Sequence, residues 1–193
     1  MTGLQKEKKW FLAIVVTAAL GIAVCIYLTH IHFKVHTGDD AYSSICNINA
    51  EYNCDAVAAS EWSIFFGIPV SLWGLLFYLG CLGFSLVKLL TKKLQNLSVY
   101  LCWGGGCAVG FSVCLAYISK VMLDTWCLFC MASWLLTLLV FVFSILACTL
   151  PVIKHFAVFK QGALWVLQRP LRMIAEVVLV ALFVSLVGFA WSE

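Results

Sequence analysis

Four cysteines in this chain have spacings that suit thiol–disulfide exchange. Cys46 and Cys54 form a C-x7-C pair, and Cys127-Leu128-Phe129-Cys130 forms a C-x-x-C pair. Residues three apart on a helix lie roughly 5–6 Å apart at Cβ, close enough for a disulfide after modest adjustment. Asp124 or Thr125 suits an N-cap, which would put Cys127 in the first helical turn. There, free backbone N–H groups and the positive dipole end favour a thiolate. The step from Cys127 to Cys130 advances ~4.5 Å along the axis. One sulfur can then face water while the other faces a pocket between helices, as passing electrons from a soluble thiol to a lipid-soluble acceptor requires. Exchange needs direct attack of a thiolate on a disulfide sulfur, and a bulky substrate reaches a membrane-end pair poorly. Cys46 and Cys54, in a loop, would serve as intermediary.

The elements that must hold these cysteines are set by composition. With 193 residues, 64% hydrophobic and 11% charged, and a mean hydropathy of +1.03, the chain is far from the roughly 25% charge of soluble domains. A water-soluble enzyme, a disordered tail, a coiled coil and a collagen-like rod are all excluded. Uncharged runs over 10–28, 62–87, 94–119 and 125–153 each provide the ~20 residues needed to cross hydrocarbon. A fifth run covers 173–193, broken by Glu176 near one end and closed by Glu193. The expected fold is an all-α integral membrane protein with five transmembrane helices, an outer loop over 29–61 and an amphipathic interfacial segment over 154–172. The first run exceeds a signal h-region of ~7–15 residues and lacks its cleavage site, so it reads as a retained anchor.

Alternating five spans puts every Lys and Arg except Lys34 and Lys120 on one side, ten of the twelve. The positive-inside rule then makes the N-terminus cytoplasmic and places the C-terminus and all four chemistry-bearing cysteines outside. Cys25, Cys81, Cys102, Cys107, Cys114 and Cys148 fall inside spans, where a free cysteine behaves as a small hydrophobe. Gly104, Gly105 and Gly106 would let helices approach closely, and Trp62, Phe65, Phe66, Trp73, Phe111 and Trp134 could line a flat apolar slot. Two blander readings stay open. The four outer cysteines could be structural staples of a noncatalytic scaffold, or half of a zinc site joined by His30, His32 or His36, although C-x7-C is a poor second half-motif.

Several stretches in order resemble the vitamin K epoxide reductase family. They are the C-x7-C pair, Cys54-Asp55-Ala56-Val57-Ala58-Ala59-Ser60-Glu61-Trp62, Phe66-Gly67-Ile68-Pro69-Val70-Ser71-Leu72-Trp73-Gly74, and the C-x-x-C pair. The order and spacing are closest to bacterial members, and the likeness spans 10–153. It implies a four-helix bundle around a quinone, capped by a loop that carries a short helix. It also implies a thiol:quinone oxidoreductase in the bacterial inner membrane. Such an enzyme would reoxidise a DsbA-like, thioredoxin-fold partner and reduce ubiquinone or menaquinone, with no metal. Under that likeness Cys54 accepts the partner's thiol, Cys46 attacks Cys127, and Cys130 donates to the quinone. Ser60 matches a supporting loop hydroxyl, and Trp62 a residue bordering the quinone. Many bacterial relatives carry a fused thioredoxin-like domain; this chain ends at Glu193, so the partner is expected to be a separate protein. Vertebrate members have a tyrosine where this chain has Trp134, which weakens the alternative of a vitamin K epoxide reductase.

Overall fold

Inside hydrocarbon every backbone N–H and C=O must pair within its own segment, so long apolar runs become helices. The computed structural model describes residues 3–37, 43–49, 51–91 and 97–148, together with His155 and Val158. Helix α1 spans Gly3–His36 and is followed by the short α2, Cys54–Ala59, and a 3-10 turn over Glu61–Ser63. A minimal antiparallel hairpin comes next, with β1 (Ile64–Phe65) paired to β2 (Ile68–Pro69). Helices α3 (Val70–Thr91), α4 (Leu97–Val121) and α5 (Leu128–Ala147) complete the described order. α1, α3, α4 and α5 are all long and apolar enough to cross a membrane. These elements lie in the first of two compact units, Met1–Thr149; the second is Leu150–Glu193.

α1 is the hub, packing along both α3 and α5, while α4 lies against α5 and touches α3 only lightly. Phe11, Ile14, Ala18, Cys25, Tyr78, Leu101 and Val140 make the shared core. Lipid is as apolar as leucine, so these contacts depend on close packing and interhelical hydrogen bonds more than on water exclusion. Val16, Leu20, Leu138 and Ile145 accordingly stay exposed on the helix exteriors. Tyr78 is the main cross-link. Its ring is fully buried against Gly21 of α1, and its hydroxyl lies 2.7 Å from the Ser133 carbonyl and 2.8 Å from Thr137 Oγ1 on α5. Thr29 donates to Ser71 at 2.9 Å, tying α1 to α3 a second time. Of the three glycines flagged from sequence, Gly105 and Gly106 do face α5, where an added Cβ would meet Phe141 at 3.2 and 3.3 Å. Gly104 faces open space.

Several boundaries differ from the sequence reading, three of them with a clear physical reason. α1 does not stop near residue 28 but runs on to His36, because Ile31 is buried in a second apolar cluster and rewards continued helix. The second run begins its helix at Val70, not at 62. Pro69 biases the residue before it toward extended backbone, and Phe66 and Gly67 both take positive φ, 53° and 75°, to close a two-residue hairpin. The uncharged stretch 62–69 is therefore loop, not span. The last described helix starts at Leu128, after an Asp124 with φ 45° and a Ser119–Thr125 hydrogen bond have turned the chain away from α4. The interfacial segment expected over 154–172 (apart from His155 and Val158) and the fifth helix expected over 173–193 lie outside the described residues.

Candidate active site

Both cysteine pairs sit at the end of the bundle where α1 overshoots. Cys46 and Cys54 are disulfide-bonded with Cα atoms 5.7 Å apart, and Cys127 and Cys130 are bonded with Cα atoms 5.1 Å apart. Three local devices hold them. First, Asn53 caps α2 by accepting the Ala56 amide at 2.9 Å, which fixes Cys54 as that helix's first residue. Second, Cys127 is itself the N-cap of α5, not a first-turn residue as the sequence suggested; its sulfur accepts the Cys130 amide at 3.1 Å. Third, the backbone just before Cys54 is joined to the backbone just before Cys127. Tyr52 and Trp126 form a parallel bridge, the Asn53 amide donates to the Trp126 carbonyl at 2.9 Å, and the Trp126 amide donates to the Glu51 carbonyl at 2.7 Å. Chain segments 74 residues apart are thereby held side by side, with Thr125 Oγ1 adding a bond to the Glu51 carbonyl at 3.1 Å.

Ile31, Cys46, Cys54 and Cys127 form one buried cluster, with Tyr27, Val57 and Phe129 packed around it. Tyr27 and Phe129 rings meet with centroids 4.6 Å apart. Although the pair lies in the outer loop, Cys46 is 2% and Cys54 1% exposed. The extension of α1 supplies the apolar wall that covers them.

Below this cluster a cavity of about 370 Å³ opens among all four long helices, α2 and the hairpin. Cys54, Cys127 and Cys130 line it, so both pairs border one space, while Cys46, bonded to Cys54, is not on the wall. Of the residues proposed for a flat slot, Trp62, Phe65, Trp73, Phe111 and Trp134 are on its wall. Phe65 bridges the mouth: its ring lies 5.5 Å from Phe111 and 6.5 Å from Trp73, and its carbonyl accepts the Trp73 indole N–H at 3.1 Å. Phe66 is not brought to the cavity; it occupies the hairpin tip and is 83% exposed. Ser60 lines the cavity but its hydroxyl donates to the Val57 carbonyl at 2.7 Å, leaving it free to accept rather than donate. Ser63, also on the wall, has a hydroxyl oxygen that is buried and lacks a partner among the described residues.

Some wall residues had no distinctive signal in the sequence. His32, named from the sequence only as one of three histidines that could join a zinc site, is buried on the cavity wall with its ring 4.2 Å from that of exposed His36, one turn on. Tyr78, Ser133 and Thr137 line the floor; a pattern of single polar residues one turn apart on α5 was the only hint. Among the described residues no group of three or more His, Cys, Asp or Glu side chains is placed to hold a metal.

Among the described residues, four membrane-length helices with two disulfides at one apolar cavity make the fold that of a multi-pass membrane protein with two cysteine pairs close together. The sequence model described as "Vitamin K epoxide reductase family" matches residues 12–145, well over half of the chain, and the chain belongs to that family. It is an oxidoreductase family whose members use quinone, and membership implies thiol/quinone oxidoreductase activity.

Proposed function

We propose that the protein takes electrons from a separate DsbA-like, thioredoxin-fold dithiol protein and delivers them to ubiquinone or menaquinone, so sustaining disulfide formation outside the cytoplasmic membrane. The observation that carries this reading is that Cys54, Cys127 and Cys130 share one cavity wall while Cys46 is bonded to Cys54. A partner thiolate attacks Cys54 Sγ, the Cys46–Cys54 bond breaks, and Cys46 leaves as the thiolate. The partner's second thiolate then attacks its own sulfur in the mixed disulfide, releasing oxidised partner and the Cys46/Cys54 dithiol. Cys46 attacks Cys127, breaking the Cys127–Cys130 bond, and Cys54 closes back onto Cys46. The Cys127/Cys130 dithiol that results passes two electrons and two protons to the quinone and re-forms its disulfide.

The cavity suits a quinone ring: it is aromatic-walled, and the unpartnered Ser63 hydroxyl would gain an acceptor from a carbonyl placed beside it. The near-complete burial of Cys54 requires the loop to lift before a protein partner can attack. The ten-to-two distribution of basic residues supports an orientation with this end outside.

The test is direct. Purified protein given a reduced thioredoxin-fold dithiol protein should bleach added quinone in stoichiometric turnover; no bleaching with either ubiquinone or menaquinone analogues defeats the proposal. A partner variant that lacks its second cysteine should accumulate on Cys54 as a reductant-sensitive band on a nonreducing gel, because the partner then has no thiol to resolve the mixed disulfide. Replacing Cys81, Cys102, Cys107, Cys114 and Cys148 should leave turnover within about twofold, as they neither line the cavity nor take part in the exchange.

A further inference from the structure

Asp55 follows Cys54 directly and reaches back to the segment that carries Cys46. Its Oδ2 accepts the Ser44 backbone N–H at 3.0 Å and the Asn47 side-chain N–H at 3.3 Å. Asn47 also reaches Ser43 Oγ at 3.3 Å, and Ser44 Oγ lies 3.5 Å from Cys46 Sγ. The carboxylate thus grips the chain two residues before and one residue after Cys46, with Ser44 buried in the grip. The other oxygen, Oδ1, is buried and has no partner among the described residues, so the whole grip runs through one atom.

We propose that Asp55 is a latch that keeps Cys46 beside Cys54 and thereby sets how readily the Cys46–Cys54 disulfide opens. The bonds it makes do not involve sulfur. They therefore persist when the disulfide is reduced, and they persist when Cys54 is tied up in a mixed disulfide. A thiol held next to its partner has a far higher effective concentration there than one on a free loop. The latch favours closure of the pair, and Cys46 must slip it to travel to Cys127. Asp55 is a positioning residue in this account: it acts through Cys46 and touches no substrate. The inference rests on the redox reading of the pair, but its test does not need quinone or a protein partner.

The test is equilibration against dithiothreitol buffers, with the free thiols then counted by alkylation and mass. One dithiothreitol gives two electrons and two protons and closes to its cyclic disulfide; the Cys46–Cys54 bond breaks and each sulfur keeps a proton. Without the latch, Asp55→Ala should be half-reduced at a roughly tenfold lower ratio of reduced to oxidised dithiothreitol, about 30 mV for a two-electron couple. Asp55→Asn keeps an acceptor oxygen and should stay close to the parent protein. The Cys127–Cys130 couple should not move in either variant. Asn47→Ala removes one of the two bonds, should shift the ratio part of the way, and decides the matter where Asp55→Ala does not fold. An unshifted Asp55→Ala overturns the latch. So does an Asp55→Asn shifted as far as Asp55→Ala, since charge beside the thiols would then be the cause. A shift in the Ala variant alongside absent quinone coupling in the parent protein would unseat the proposed function and leave the latch standing.

Discussion

Cys130→Ala should abolish quinone-dependent oxidation of a dithiol partner, a fall on the order of 10³-fold or more, as expected when a covalent participant is removed from a chain of exchanges. The loop couple should keep working: one equivalent of partner should still be oxidised per molecule, after which the reaction stops. The reason lies in the cavity. Cys127 is 1% exposed and committed as the N-cap of α5, while Cys130 is half-buried on the wall. With only Cys127 left there is no Cys127–Cys130 disulfide for the Cys46 thiolate to attack, so the electrons stay on the Cys46/Cys54 dithiol. Single-turnover and steady-state assays on the same preparation separate the two stages. Sustained turnover in this variant would remove Cys130 from the path and with it the proposed direction of electron flow.

The second large effect is on folding. Gly21→Ala places a Cβ into the Tyr78 ring, nearer than any ordinary contact. That ring is fully buried and its hydroxyl is held by Ser133 and Thr137, so it can yield only by tilting into the cavity whose floor it forms and giving up those bonds. Overpacking of this kind costs about 1–3 kcal/mol, and Gly21→Leu should cost more by forcing α1 off α3. Two effects compete here, because alanine also favours helix over glycine by roughly 0.5–1 kcal/mol. Gly104→Ala isolates that second effect: nothing lies within 4 Å of its Cβ position, so it should be neutral or slightly stabilising. Thermal unfolding of the two variants in the same detergent gives the comparison, and equal midpoints would mean that Tyr78 yields more easily than its bonds imply.

Much of the site was legible because cysteine spacing and charge placement are local signals. Residues 46, 54, 127 and 130 stood out by type alone, and four membrane-length helices followed from the uncharged runs. Helix boundaries were harder to read, for a physical reason. Absence of charge reports compatibility with hydrocarbon, not backbone conformation, so the hairpin over 64–69 passed for helix although Gly67 and Pro69 marked it. The burial of Cys46 and Cys54 could not be read either. It depends on Ile31 reaching them from an extended α1 and on the pairing of Tyr52 with Trp126, both contacts between segments remote in sequence. Asp55 looked like one more loop acid, since a carboxylate that grips a neighbouring segment has the same spacing as one that is merely solvated.

The 34 residues of α1 amount to about 51 Å of helix at 1.5 Å per residue, against about 30 Å of hydrocarbon. It contains no proline and is a single unbroken rod. Cys25 and His32 on this rod border the slot, and Ile31 lies under the sulfurs. When a bilayer thickens or thins, such a helix accommodates by leaning, and everything seated on it leans too. The spacing between the cysteine pairs and the cavity, on which the proposed relay depends, should therefore change little between membranes of quite different depth.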